Sequence, residues 1–394
     1  MTERPGQAPE LRGWLRLLLA SNVGPARVAS LEIEPEAIAD VPDWPAARLA
    51  EAGFSAAAIK ALKNPDPDQL AACEHWLSAA NHHLVTRNDE FYPPLLRRIA
   101  DAPLALFVNG RPDWLLHPQV AIVGSRNATA GGLEIAREFA AGLSRAGLVI
   151  TSGLASGVDG AAHRAALDAG GVTIAVGGTG PDRVYPARHR DLARKIVDNG
   201  AVISSFAPGV GPRPGHFPAR NRIISGMSAG VVVIEAGTRS GSLITARLAG
   251  EQGREVFAVP GSIRNPLARG CHRLIRDGAR LVESVDEVVA ELSPLINELA
   301  GELRGLLEHE IGARAETAGA LDGSLQRPGH DDPEIRLLLD AVGYDPTSVD
   351  EIIQRTQLTT QAVSSMLLML ELQGQVAPHG GGRYSRTGKD QETY

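Results

Sequence analysis

The chain has 394 residues, of which 43% are hydrophobic and 22% charged, an ordinary globular composition with length for two or three domains of about 150 residues. A formal net charge of −7 argues against a protein that coats duplex DNA through a general excess of positive charge, so any nucleic-acid surface has to be a local patch. The cysteines, Cys73 and Cys271, form no CxxC pair and indicate neither a zinc site nor a disulfide framework. No apolar run has the length of a signal or a membrane span, and the reading is a soluble, cytoplasmic protein.

Residues 1–100 read as a small helical domain. Apolar periodicity over 11–20 predicts a helix, broken at Asn22-Val23-Gly24-Pro25 and again between Pro42 and Pro45. The Asn22 to Pro25 turn is similar to that of helix-hairpin-helix and SAM-like modules, a plain interhelical turn being the alternative. From residue 119 the texture changes. Short apolar runs at 120–123, 148–151, 172–176, 202–204, 231–234 and 256–259 read as strands, and 132–145, 161–169, 191–198 and 243–252 between them read as helices. Continuous apolar strands separated by helices imply a parallel sheet covered on both faces, so 101–294 is predicted to be a doubly wound α/β domain. A linker follows over 295–330, ending in Gln326-Arg327-Pro328-Gly329-His330. Residues 331–394 read as a winged helix. Ser348 caps one helix through Arg355, Thr359 caps a second through Leu372, and 375–385 form a β-wing with Gly380-Gly381-Gly382 at its tip. That second helix carries no basic residue, a poor prospect for reading duplex DNA.

In an open parallel sheet, ligands bind beyond the carboxyl ends of the strands. Four such loops are rich in glycine and hydroxyl residues: Gly124-Ser125-Arg126-Asn127-Ala128-Thr129, Ser152-Gly153-Leu154-Ala155-Ser156-Gly157-Val158-Asp159, Gly177-Gly178-Thr179-Gly180 and Glu235-Ala236-Gly237-Thr238-Arg239-Ser240-Gly241-Ser242. Glycine lets backbone approach a ligand, and amides and hydroxyls at helix N-termini donate to phosphate oxygens. Small residues also suit tight turns, but four such loops on one edge point to a phosphate-binding rim. Between Arg213 and Arg276 stand ten arginines against three acids, Glu235, Glu251 and Glu255, a local basic footprint. Arg126, Arg220, Arg222 and Arg239, read as lying at loop ends, are the better candidates for anion contact. Arg126 is suited to bridging two phosphate oxygens, the alternative being a pairing with a buried acid such as Asp159.

No GxxxxGK[ST] is present and Gly124-Ser125-Arg126 does not continue as GxGxxG, which disfavours nucleoside-triphosphate hydrolysis and a nicotinamide cofactor. No cofactor and no metal are expected. Asp159, His163, Asp182 and Glu235 form no recognisable acid–base pair, so the chain does not read as an enzyme. Asp159 fits a helix N-cap and His163 a loop-orienting role as well as any catalytic one.

At these loops the chain resembles the DprA/Smf family. The resemblance runs in order through Val120-Ala121-Ile122-Val123-Gly124-Ser125-Arg126, Thr151 to Asp159 with Ala162-His163, and Phe217-Pro218-Ala219-Arg220-Asn221-Arg222-Ile223-Ile224-Ser225-Gly226. It continues in Ser240-Gly241-Ser242-Leu243-Ile244-Thr245-Ala246-Arg247 and Arg254-Glu255-Val256-Phe257-Ala258-Val259-Pro260-Gly261. It implies a Rossmann-like fold, single-stranded-DNA binding, dimerisation through that domain, and loading of the RecA recombinase in natural transformation and recombination, with single-strand-binding protein as a further partner. A helical SAM-like domain before and a winged helix after would fit it. Carried over residue by residue, the DNA-binding set is Gly124, Ser125, Arg126, Ser152, Gly153, Ala155, Gly157, Phe217, Arg220, Asn221, Arg222, Ser240, Gly241 and Ser242, with Phe217 offering an aromatic face to a base. The sequence departs from the family pattern at Gly177 to Asp182 and at Cys271-His272. Two other readings are a phosphoribohydrolase-like nucleotide-processing enzyme, whose PGGxGTxxE signature is incomplete at 236–242, and a nucleotide-sensing DNA-binding regulator.

Overall fold

The structure, a computed structural model, describes residues 7–31, 33–299, 301, 333–356, 358, 363, 366, 367, 370, 375–379 and 383–387. The chain divides into two compact units, 1–306 and 307–394. In the first, helices α1 (Gln7–Leu19), α2 (Pro25–Ala29), α3 (Ala46–Glu51) and α4 (Ala56–Lys63) enclose Trp14, Leu17, Leu49, Phe54 and Leu62, and α5 (Pro67–Leu77) packs on α1 through Cys73, Trp76 and Leu15. A strand, β1 (His82–Thr86), then appears inside the stretch read as helical, followed by α6 (Pro94–Arg97) and β2 (Ala105–Gly110). Only Val85 of β1 is buried, so its sequence carries no apolar run to announce it; its antiparallel partner β2 holds it in place.

The remaining strands are β3 (Gln119–Gly124), β4 (Val149–Ser152), β5 (Thr173–Val176), β6 (Ala201–Ser204), β7 (Gly230–Ile234), β8 (Glu255–Ala258) and β9 (Arg280–Leu281). The first six of these fall on the predicted apolar runs. All nine form one sheet in the order β1-β2-β6-β5-β4-β3-β7-β8-β9, parallel from β6 to β9, with β2 antiparallel to β6 at the other side. Alternate residues feed the two faces. Ala121, Val123, Val231 and Val233 pack with Ile223, Ile224 and Ala246 on one, and Val120, Ile122, Val232 and Ile234 pack with Phe139, Ala140, Leu143 and Ala162 on the other. The covering helices are α7 (Ala130–Arg145), α8 (Val158–Asp168), α9 (Arg190–Asn199), α10 (His216–Met227), α11 (Ser242–Glu251), α12 (Arg269–Arg276) and α13 (285–299). Helix α13 runs into the predicted linker, where Leu295, Ile296 and Leu299 join the same core. The rest of that linker, apart from residue 301, lies outside the described residues.

The second unit contains α14 (Pro333–Val342), β10 (Thr347–Ser348), α15 (Val349–Thr356), β11 (Val376–His379) and β12 (Arg383–Arg386), with the strands ordered β10-β12-β11. Ser348 caps α15 as predicted. Its Oγ accepts from Glu351 N at 3.3 Å while the Glu351 carboxylate accepts from Ser348 N and Oγ, a reciprocal capping box. Leu367 and Leu370 are buried with Leu338 and Ile352. Thr359, Leu372 and the Gly380 to Gly382 tip lie outside the described residues.

The sheet order locates the site. After β3 the chain winds through β4, β5 and β6 on one side, and after β7 it winds through β8 and β9 on the other. Loops leaving β3 and β7 therefore diverge and open a crevice between them. The two strands meet closely there: a Cβ at position 124 would fall 1.9 Å from the backbone oxygen of Ile234. Gly124→Ala is expected to destabilise the fold by about 3 kcal/mol, the upper end for overpacking, because the obstacle is backbone; urea unfolding measures it, and a change under about 0.5 kcal/mol would refute this reading of the contact.

Candidate nucleic-acid interface

The crevice is a cleft of about 900 Å³. Its walls are the β3 loop (Gly124, Ser125, Arg126), Ala155 and Asp159, the first half of α10 (Phe217, Arg220, Asn221) and the β7 loop with the start of α11 (Ser240, Gly241, Ser242). Ten of the fourteen predicted residues thus meet at one place.

Two corrections concern the arginines. The segment after β6 read as a loop is helix α10, whose Pro218 is tolerated in the first turn where no backbone donor is needed. Arg220 and Arg222 therefore project about 200° apart. Arg220 is buried, 4% exposed, and turns into the cleft. Arg222 turns away and is held by Asp101, through the carboxylate at 2.5 Å and the backbone oxygen, and is not among the cleft residues. The other correction concerns Asp159: its charge faces Arg220, not Arg126.

Arg220 has an unusual setting. Its Nε and Nη1 are buried and have no hydrogen-bond partner. Burial pulls the guanidinium down to about 10, with the charge of Asp159 opposing the fall. Asp159 itself is raised above the usual carboxylate range by burial, against the pull of Arg220 and of the Ala155 and Gly153 amides. Those amides donate to Asp159 Oδ2 at 3.3 and 3.1 Å, which places Asp159 beneath the β4 loop as an acceptor and not as an N-cap. A Cβ at 153 would fall 1.6 Å from Arg220 Nη1, so Gly153 is the space the guanidinium occupies.

Three predicted residues thus act behind the cleft. Gly153 makes room; Ser152 donates its buried Oγ to Ile122 O at 2.6 Å; Gly157, at φ 76°, lets the start of α8 pass 2.1 Å from Ser125 O where a Cβ would stand. Ser125 is nearly buried, its Oγ accepting from Asn127 N at 3.1 Å. Arg126 is exposed and its guanidinium lies 5.5 Å from the centroid of Phe217, a cation–π distance. Helix α11 starts at Ser242 without a side-chain cap from Gly241, presenting the positive end of its dipole to the cleft. The exposed Arg239 and Arg269 complete the lining. Arg239 was singled out from sequence; Arg269 was legible only as one of the ten arginines. The third loop does not reach the cleft. Gly178 lies beneath Phe217, 3.0 Å from its Cδ1 at the Cβ position, and Thr179 is bonded to Arg183 O.

The acid–base candidates are otherwise engaged. Glu235, at φ 51°, accepts from Thr129 N and Oγ1 at 2.7 Å and from Asn265 Nδ2 at 2.9 Å. Asp182 accepts from Gly209 N at 2.9 Å. His163 is buried in α8 with Nδ1 against Thr173 Oγ1 at 2.6 Å; since that hydroxyl donates to Ile150 O, Nδ1 carries the proton. Among the described residues no group of three His, Cys, Asp or Glu side chains is arranged to hold a metal, and no helix is long and apolar enough to cross a membrane.

Fold and cleft define a doubly wound α/β protein with a cationic switch-point site. Comparison with known proteins makes this specific. The model of DNA recombination-mediator protein A matches residues 83–293, and the DprA winged helix domain matches 324–382. The chain belongs to the DNA recombination-mediator protein A family. It is 43% identical to Protein Smf of Escherichia coli over 310 residues, 78% of each chain. It is 51% identical to DNA processing protein DprA of Streptococcus pneumoniae over 203 residues, 52% of this chain and 72% of that protein. The X-ray structure of the Streptococcus pneumoniae protein superposes with a TM-score of 0.62 at 39% identity, covering 71% of this chain and 97% of that one.

Two outcomes test the site's electrostatics. Burial, with His189, Arg220 and Arg164 nearby, pushes His163 down to about 3 from 6.5. The unfolded chain takes up that proton first, so the neutral ring's contribution is complete above pH 6.5 and is lost as pH falls toward 3, at up to about 1.4 kcal/mol per pH unit. Urea unfolding of His163→Leu should show a flatter acid limb between pH 6.5 and 4; an unchanged limb would assign the sensitivity elsewhere. Gly153→Ala should push the flexible guanidinium of Arg220 out of its place with little loss of melting temperature, yet weaken anion binding by about 1.5 kcal/mol or more, read by fluorescence anisotropy of a labelled oligonucleotide. A large melting loss with normal binding would contradict this.

Proposed function

We propose that the cleft binds the backbone and bases of a single DNA strand and that the protein delivers that strand to the RecA recombinase during DNA uptake and recombination, acting as a binding protein without turnover. The observation that carries this reading is Arg220: a buried cation on the cleft wall whose Nε and Nη1 have no hydrogen-bond partner, and whose facing acid, Asp159, is shared with two loop amides, favours an anion in the cleft. Arg126, the α11 N-terminus and the hydroxyls of Ser240 and Ser242 supply further phosphate contacts, and Phe217 supplies a stacking face. Family membership supports the nucleic-acid assignment, since relatives such as those of Streptococcus pneumoniae and Bacillus subtilis are named for DNA processing. The net charge of −7 favours a flexible strand drawn into a local cationic cleft over a rigid duplex laid across the surface.

In the same reading the chain works in the cytoplasm as a homodimer. The helices before β1 form a SAM-like domain and the sheet-bearing part that follows a Rossmann-like domain, which leads beyond α13 to the winged helix, with single-strand-binding protein as a further partner.

Anisotropy titrations with a labelled strand and its duplex of equal length, at several salt concentrations, decide the matter. The single strand should bind more tightly, with affinity falling as salt rises. Arg126→Ala should lose about 1.5 to 3 kcal/mol at unchanged melting temperature. Equal or tighter binding of duplex would sink the proposal.

A further inference from the structure

Tyr185 lies on the loop between β5 and α9, outside every residue set assigned above. In the first unit its ring is the one exposed large aromatic among the described residues, at 49%. A single exposed apolar side chain needs no explanation; its neighbours do. The Tyr185 centroid is 5.5 Å from that of Phe217, with 46° between planes, and Phe217 in turn carries the Arg126 guanidinium at 5.5 Å. Farther along the same loop, Arg188 reaches back to Ser156 Oγ on the β4 loop and is otherwise exposed. Cation, ring, ring and cation thus border the carboxyl edge of the sheet. Because β5 stands two strands from β3, this carries the edge past Phe217 toward the β5 side of the sheet.

We infer that Tyr185 is a second base-stacking platform, so that a bound strand runs from the β7 loop across Phe217 and leaves over the β5 loop. The inference rests on the cleft being a single-strand site. Two adjacent rings flanked by guanidinium groups match two neighbouring bases flanked by phosphates, and stacking on a ring tolerates any base. A partner protein would use the same ring differently, without regard to bases.

The test compares wild type, Tyr185→Phe and Tyr185→Leu, each titrated with an oligothymidine and with an abasic strand of the same length, and with a strand carrying 2-aminopurine to report stacking. Leucine keeps the bulk and removes the ring. Tyr185→Leu should bind the base-bearing strand at least about fivefold more weakly, lose 2-aminopurine quenching, and match wild type on the abasic strand, while Tyr185→Phe behaves as wild type throughout. Undiminished binding and quenching in Tyr185→Leu, or an equal loss on the abasic strand, overturns the second platform and leaves the cleft intact as a site. Failure of the wild type to bind either strand overturns the single-strand reading itself, and this inference with it.

Discussion

A guanidinium held in the protein interior with too few partners is the constraint around which the sheet edge is arranged. Arg220 occupies the volume that Gly153 leaves empty, so any side chain at that point of the β4 loop would displace the guanidinium. Its charge requires a compensating one within reach, which Asp159 provides while remaining bonded to loop amides. It also keeps positive charge near His163, which stays neutral. The arrangement is tolerable without a ligand and better with an anion, because buried donors left unmade cost about 1 to 3 kcal/mol each.

A second tie fixes the frame. Glu235 adopts a left-handed backbone that a non-glycine residue enters at a cost of about 1 kcal/mol or more, and its carboxylate gathers donors from the β3 loop and from the segment after β8. Three connections that diverge from the switch point are thereby held to one another. Glu235, one of the four acid–base candidates, is thus engaged as a clamp between the β3 loop and the segment after β8.

The central strands were legible because each is buried on both faces and reads as an unbroken apolar run. Helix α10 was not, because its proline, glycine and arginines look like loop chemistry while its buried face is only a few residues long. That omission hid the fact that Arg220 and Arg222, two positions apart, point to opposite sides. Ser152 shows a similar limit: a hydroxyl in a glycine-rich segment has the same letter whether it faces a ligand or a neighbouring strand, and here it bonds Ile122 O. The approach of Tyr185 to Phe217 joins segments on either side of β6, and no local pattern records it.

The antiparallel start of the sheet bears on how the chain folds as it is made. Phe107 of β2 pairs with Ser204 of β6, so the strand that anchors the N-terminal helices waits for a partner synthesised about 100 residues later. Trp76 and Leu15 pack against the same Phe107, which means the helical segment has apolar surface to protect during that interval. Long-range pairing of this kind slows folding and exposes edges on the way. The N-terminal helices are thus placed to cover Phe107 before β6 exists, and β2 can join the parallel part of the sheet only when translation has passed β6.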